Sequence, residues 1–305
     1  MFASTARAAS GTLDPRTNGG SSVARVLTRR RFLAGIGALA AGAGVYANRI
    51  EPHRVTVVRR DLPVPNLPAD LDGQLLVQLS DLHIGPTDDD YLLDCFRQVG
   101  ELRPELIVIT GDFMTSDGLK ELDRVSTLLP QLSRPPLGIF GSLGNHDYGP
   151  TWYDSRIADP LSKRLNELGV RVCRNELVDV AGVQLIGLDE IWARQFRPRE
   201  ALTTYDRERP AIALSHNPDT VDDAGWRGYR GWVLSGHTHG GQCSVPLLGP
   251  PFLPIRNSRY AAGEVDLGDG RRLYVSRGVG YHWRVRFNVR PEITAHTLRR
   301  VDRLA

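Results

Sequence analysis

Between residues 75 and 170 the chain repeats one pattern three times: a short apolar run, then a longer segment with apolar residues at helical spacing. Leu75-Leu76-Val77-Gln78-Leu79-Ser80, Leu106-Ile107-Val108-Ile109-Thr110 and Leu137-Gly138-Ile139-Phe140-Gly141 read as buried strands. Residues 87–102 place Leu92, Cys95, Phe96, Val99 and Leu102 on one helical face. Residues 118–130 and 155–168 also read as helices, the second stopped by Gly169. Strand–helix–strand order predicts parallel strand pairs with helices packed on the sheet. The second half is richer in strands, with candidates at 170–173, 176–180, 183–188, 211–214, 231–234, 260–266, 272–275 and 293–298, and a hairpin turn at Asp269-Gly270. Ahead of the first run, residues 54–59 read as a strand and the proline-spaced residues 62–67 as an extended connection. The fold class expected is α/β, with two packed mixed β-sheets flanked by helices. No linker or internal repeat divides residues 51–305.

The residues that follow the apolar runs carry the chemistry. They are Asp81-Leu82-His83, Gly111-Asp112, Gly144-Asn145-His146-Asp147, Ser215-His216-Asn217 and Ser235-Gly236-His237-Thr238-His239. In open α/β sheets, sites form outside the carboxyl ends of the strands, so these five clusters are expected to meet at one edge. Carboxylate, imidazole and amide oxygen together suit ions such as Mn, Fe or Zn. Two such ions about 3.5–4 Å apart can clamp a phosphoryl group and share a hydroxide. Singly the clusters say little: an Asp-x-His at a strand end is more often structural, and Gly-Asn-His-Asp also suits a capped turn. Five of the eight histidines lie in them. His53, His282 and His296 do not, and read as surface or packing residues.

In this order the motifs resemble the five signatures of the calcineurin-like metallophosphoesterase superfamily, over roughly residues 73–240. Gly240-Gly241-Gln242, Pro246, Gly249, Pro254, Arg259-Tyr260 and Leu273-Tyr274-Val275-Ser276-Arg277-Gly278 are similar to a bacterial subgroup exported by the twin-arginine route. The resemblance implies a four-layer sandwich, with residues 73–305 as the catalytic domain and residues 48–72 as its N-terminal strand and connection. It implies hydrolysis of phosphodiesters or phosphomonoesters by a hydroxide bridging two divalent metal ions. Asp81, His83 and His239 would bind the first ion, and Asn145, His216 and His237 the second, with Asp112 bridging. His146 would face the leaving-group oxygen, and Asp147 would orient it by accepting its other ring proton.

The N-terminus reads as an address. Residues 1–27 have no apolar period and read as disordered. Thr28-Arg29-Arg30-Arg31-Phe32-Leu33 then precedes an Ala- and Gly-rich apolar stretch, residues 34–46, which is short against the roughly 20 residues that span a bilayer. Paired arginines before a weakly apolar segment resemble a twin-arginine signal, with small residues for cleavage after Ala47 or, alternatively, at Ala41-Gly42-Ala43. Residues 1–47 are therefore expected to be a signal region. Its partner would be the twin-arginine translocation machinery and its destination the periplasm or cell envelope. An uncleaved signal would leave a membrane anchor.

Charge distribution argues against a nucleic-acid binder. Residues 1–47 hold six of the 38 basic and one of the 35 acidic residues, which leaves the rest at a formal −2. The body has no basic run, so no dedicated nucleic-acid partner is expected. Cys95, Cys173 and Cys243 are an odd, widely spaced set and form no disulfide or zinc framework. Residues 192–197 and 281–284 mix aromatic and basic side chains, which suits either a substrate rim or ordinary packing. Two other functions remain open at this point. One is a pyrophosphatase acting on a nucleotide-sugar lipid such as UDP-2,3-diacylglucosamine. The other is a non-catalytic binding module on the same fold.

Overall fold

Leu76 and Val77 point to opposite sides of one strand, and each side meets a different core. That alternation, repeated strand by strand, sets the layers. The computed structural model describes residues 29–115, 118–226 and 228–302. Its strands are β1 (Thr56–Pro65), β2 (Leu75–Leu79), β3 (Leu106–Thr110), β4 (Ile139–Ser142), β5 (Val170–Val172), β6 (Glu176–Val180), β7 (Val183–Gly187), β8 (Ala211–Leu214), β9 (Gly231–Ser235), β10 (Gly263–Asp266), β11 (Arg271–Val275) and β12 (Glu292–Val301). They form two six-stranded mixed sheets, ordered β1-β12-β2-β3-β4-β5 and β10-β11-β9-β8-β7-β6. Strands β2, β3, β4 and β5 run parallel, as do β7, β8, β9 and β11.

The helices are α1 (Arg29–Val45), α2 (Asp89–Leu102), α3 (Leu122–Leu128), α4 (Ser155–Glu167) and the single turn α5 (Pro198–Ala201). Helix α2 begins where Asp88 accepts the Tyr91 N–H at 3.0 Å, a side-chain cap on an otherwise unpaired donor. Its apolar face, with those of α3 and α4, covers Val77, Leu79, Ile107 and Ile109 on the outside of the first sheet. Between the sheets, Leu62, Leu76 and Val108 meet Leu185, Ile212, Leu214, Trp232 and Leu234. A third cluster, with Val221, Trp226 and Tyr229, covers Ile186, Ala213, Val233 and Leu273 on the far side of the second sheet. Gln78 is a polar residue buried between the sheets. It donates to Ser235 O at 2.9 Å and accepts from His296 at 3.0 Å, tying one sheet to the other.

Three expectations are corrected. Residues 62–67 are not a connection as a whole, because β1 runs to Pro65. Among the described residues it is an edge strand paired with β12 alone, so Pro63 and Pro65 are tolerated while Leu62 and Val64 turn inward. The helix expected at 118–130 is short, giving way to a 3₁₀ turn at Leu129–Gln131 where Pro130 interrupts the pattern. The strand expected from 260 starts at Gly263, after a 3₁₀ turn at Ser258–Tyr260. The hairpin around Asp269-Gly270 joins β10 to β11 as expected, and all three cysteines are free.

By contacts the chain divides into two units, residues 1–42 and 43–305. The expected disordered leader, residues 1–27, and Thr28 lie outside the described residues. In the first unit the described residues, from Arg29 to Gly42, belong to α1. Among the described residues no helix is long and apolar enough to cross a membrane. The second unit contains both sheets.

Candidate metal centre

Strands β2, β3 and β4 are neighbours in the first sheet, and β8 and β9 are neighbours in the second. Their carboxyl ends carry the five clusters, and the two sheet edges bring those clusters together. The approach is close enough to require glycine at two points. A β-carbon on Gly236 would fall 1.8 Å from Ser80 Oγ and 2.4 Å from Asp81 Oδ2. One on Gly144 would fall 2.3 Å from Asp112 Oδ1.

The backbone turns sharply after β2, β3 and β9. Asp81, His83, Asp112, His237 and His239 all have φ between 47° and 71°. This left-handed region is uncommon for residues other than glycine, and its clustering marks strain held at a functional site.

Two groups of donor atoms result. In the first, His83 Nε2 lies 2.9 Å from His239 Nε2, and His239 Nε2 lies 3.3 Å from Asp81 Oδ1. In the second, His216 Nε2 lies 3.2 Å from Asn145 Oδ1 and 3.3 Å from His237 Nδ1. Asp112 Oδ2 stands between the groups, 3.6 Å from His83 Nε2 and 3.2 Å from His216 Nε2. All seven residues expected to bind metal are therefore gathered at one point.

The donor set fits a cation because its members cannot satisfy one another. His216 Nδ1 is 2.7 Å from the Thr110 carbonyl, which can only accept, so Nδ1 carries a proton and in the neutral, metal-binding ring Nε2 presents a lone pair. His237 Nε2 is 3.0 Å from the Pro254 carbonyl, so its Nδ1 likewise presents a lone pair. These two lone pairs face each other, the Asn145 amide oxygen and the Asp112 carboxylate. Four acceptors around one point call for a positive charge between them, and pinning the far ring nitrogen is how metal-binding histidines are oriented.

Burial opposes charge on His216, yet the Asp112 carboxylate raises its ring well above the ordinary range. A proton on His216 Nε2 competes with a cation for that place, and metal binding would release it. Burial opposes charge on Asp112 too, but the His216, His146 and His83 rings hold it well below the usual carboxylate range. Burial pushes Asp81 up to about 7, with Asp112 adding to the rise and His216 opposing it. His237 is pushed down to about 3 by burial and then by His216, while burial holds His83 and His239 well below their ordinary value. These three rings are neutral at pH 7, the form that binds metal.

His146 has a different position. Its backbone N–H donates to Asp112 Oδ1 at 2.8 Å, and its ring stands edge-on to His83 with centroids 5.0 Å apart. Asp147 does not orient that ring as expected. Its two carboxylate oxygens accept the Gly144 and Met114 backbone N–H groups, at 2.8 and 3.1 Å. The carboxylate is fully buried and holds the loop that carries Asn145 and His146.

Several residues at the centre escaped the sequence reading. The His282 ring lies 4.8 Å from His146 and 6.3 Å from His83, so this exposed histidine belongs to the site's rim. No strand-end pattern announces it. Trp192 stands edge-on to His237 at 4.5 Å and packs on Trp152 at 5.1 Å, so part of the aromatic 192–197 segment does reach the centre. Phe196 instead packs near Trp226, and Tyr281 is buried beside His53. Glu190 is buried, pushed up to about 7 chiefly by burial, and accepts the Trp192 N–H at 3.0 Å. Asp189-Glu190 follows the apolar run of β7, so the strand-end rule itself could have found it. Thr115 Oγ1 contacts His83 Nδ1 at 2.6 Å, and buried Arg286 holds the 277–280 backbone beside His239.

Comparison with known proteins agrees with this geometry. Residues 75–241 match the calcineurin-like phosphoesterase family. The chain is 31% identical to the phosphodiesterase YaeI of Escherichia coli, over 88% of this chain and 98% of that protein. It is 31% identical to the UDP-2,3-diacylglucosamine pyrophosphatase LpxG of Chlamydia trachomatis, over 82% of this chain and 91% of that one. A metallophosphoesterase of Bacillus subtilis, YkuE, is 32% identical over 90% of this chain and 98% of its own length. The chain thus belongs to the calcineurin-like phosphoesterase family and is a metal-dependent hydrolase of phosphoesters.

Proposed function

We propose that the centre uses two divalent ions of the Mn, Fe or Zn type to hydrolyse phosphodiesters or phosphomonoesters. Asp81, His83 and His239 hold one ion, Asn145, His216 and His237 hold the other, and Asp112 serves both. The observation that carries this reading is the convergence of His216 Nε2 and His237 Nδ1 on Asn145 Oδ1, with Asp112 Oδ2 beside His216. When bound, the ions supply Lewis acidity and a water-derived nucleophile at neutral pH.

The chain's own residues do the rest. Asp112 links the two donor groups and, through Oδ1, fixes the backbone of His146. The His146 ring stands over the first group, where it donates to the leaving oxygen as negative charge develops there. His282 adds a second imidazole beside it, a donor for the phosphoryl oxygens. Trp192 walls the side next to His237, and Trp152, packed on Trp192, stands beside the His146 ring.

We also propose export by the twin-arginine route, supported by Arg29-Arg30-Arg31-Phe32-Leu33 ahead of the short apolar stretch. The body would then act in the periplasm or cell envelope, either released or anchored by an uncleaved signal. Replacing Arg29 and Arg30 by Lys and following the protein by cell fractionation tests this. A variant that still leaves the cytoplasm would contradict it.

The names of the relatives point to two bond types, a phosphodiester and a pyrophosphate. A panel of bis-p-nitrophenyl phosphate, p-nitrophenyl phosphate and UDP-diacylglucosamine, each with Mn, Zn, Fe or Mg, separates them. Metal-dependent hydrolysis of either aryl ester supports the reading. Turnover of the nucleotide lipid alone would replace it with the narrower pyrophosphatase.

A further inference from the structure

Residues 245–249 make a tight turn that displays apolar side chains to solvent. Val245 N–H donates to Gly249 O, and Gly249 N–H returns to Val245 O, both at 2.9 Å. Leu247 and Leu248 at its tip are 106% and 84% exposed. Leu247 has φ +69°, a left-handed conformation that a leucine adopts at a cost. Among the described residues no contact offsets that cost, so the turn presents this side chain outward.

The surrounding face extends the pattern. Ser244 N–H donates to Phe287 O, and Phe287 N–H donates to Gln242 O, both at 2.9 Å, which joins the turn to the segment carrying Trp283, Arg284 and Arg290. Trp283 is 71% exposed, and Phe252, a few residues beyond the turn, 72%. A cleft of about 490 Å³ beside the turn is lined by Tyr46, Pro246, Phe287, Arg277 and Arg290. Glu51 on its wall is buried and accepts the Val289 N–H, and Arg277 pairs with Glu292. Arg256, Arg284 and Arg290 have no ion-pair partner among the described residues. Apolar tips with an unpaired cation, Arg290, lining the adjoining cleft are the composition that engages an anionic bilayer.

We propose that this face docks on an anionic phospholipid membrane. Leu247 and Leu248 enter the acyl boundary, with Arg284 and Arg290 at headgroup level. A protein partner would need a pocket to receive so convex a tip, whereas a bilayer needs none. Connectivity supports the same side. Tyr46 lines the cleft and Asn48 exchanges hydrogen bonds with Arg284, so the residues directly after α1 belong to this face. The face also adjoins the metal centre, since Pro254, seven residues past Leu247, is the residue that accepts from His237. Hydrolysis of phosphoesters presented at the bilayer surface would follow. That consequence rests on the metal-centre reading, while the docking itself does not.

The test uses the full chain with Leu247→Cys in a Cys243→Ser background, labelled with an environment-sensitive fluorophore. Vesicles containing phosphatidylglycerol are expected to shift the emission to the blue and brighten it several-fold, and phosphatidylcholine alone to do so weakly. The unlabelled double variant Leu247→Asp/Leu248→Asp is expected to float several-fold less with anionic vesicles, because α1 alone does not replace the turn. Its hydrolysis of soluble bis-p-nitrophenyl phosphate should stay at the wild-type rate, which reports the metal centre separately. Unchanged emission, or equal flotation of variant and wild type, would overturn the proposal. So would a label already shielded without lipid together with a dimer in sedimentation velocity, which would assign the turn to a second copy of the chain.

Discussion

Asp112 Oδ1 accepts the backbone N–H of His146 at 2.8 Å, while Oδ2 of the same carboxylate points between the two donor groups. One side chain thus couples the metal centre to the residue proposed to meet the leaving group. The coupling runs through the His146 backbone, not its ring. His146→Ala should therefore keep its metal and lose about 10²–10⁴-fold in kcat, the usual span for a positioned proton donor. Metal analysis and steady-state kinetics on the same preparation check this, and metal loss on His146→Ala would remove the role assigned to it.

His282→Ala should lower kcat/KM by about ten- to a hundredfold, the loss of one hydrogen bond to a charged group of about 1.5–3 kcal/mol. Metal content should not change, because His282 touches the site through His146 and stands on its rim. Rescue by His282→Asn, which keeps a donor, would separate hydrogen bonding from packing.

Gly236→Ala tests the closeness of the two sheets. Its β-carbon would overlap Ser80 Oγ and the Asp81 carboxylate, so either Asp81 moves or the β9 turn opens. Destabilisation of about 1–3 kcal/mol is expected from overpacking, along with weakened metal retention. Denaturant titration and metal analysis measure both. Wild-type values for this variant would mean that the sheet edges are further apart than described.

His296 gives a pH-dependent prediction away from the metal ligands. It is buried between the sheets, its Nε2–H donates to Gln78 Oε1, and burial, then Arg60, push it down to about 3. The unfolded chain takes up this proton near pH 6.5 and the folded chain does not. Its contribution is therefore intact above pH 6.5 and lost as pH falls toward 3, by at most about 1.4 kcal/mol per unit. The difference in stability between wild type and His296→Gln, which does not titrate, should shrink across pH 6.5 to 4. A difference independent of pH would show that the ring charges freely in the folded state.

The parallel strands were legible because buried strands leave uninterrupted apolar runs, and the ligands because they follow those runs directly. The rule failed where a residue reaches the site from a loop. His282 arrives from residues that follow β11, and the aromatic wall from Trp152 and Trp192. Asp147 shows another limit: a carboxylate beside a histidine in sequence gives its oxygens to two backbone donors instead. At the edge of the first sheet, prolines read as a break in β1 because a sequence does not say which strand lacks an outer neighbour.

Metal stoichiometry tests the central claim most directly. Purified chain loaded with Mn or Zn and freed of excess should hold two ions. Asp112→Asn should hold at most one and lose hydrolysis of bis-p-nitrophenyl phosphate. Full activity with a single ion, or Asp112→Asn that retains two ions and the wild-type rate, would contradict a centre organised around Asp112.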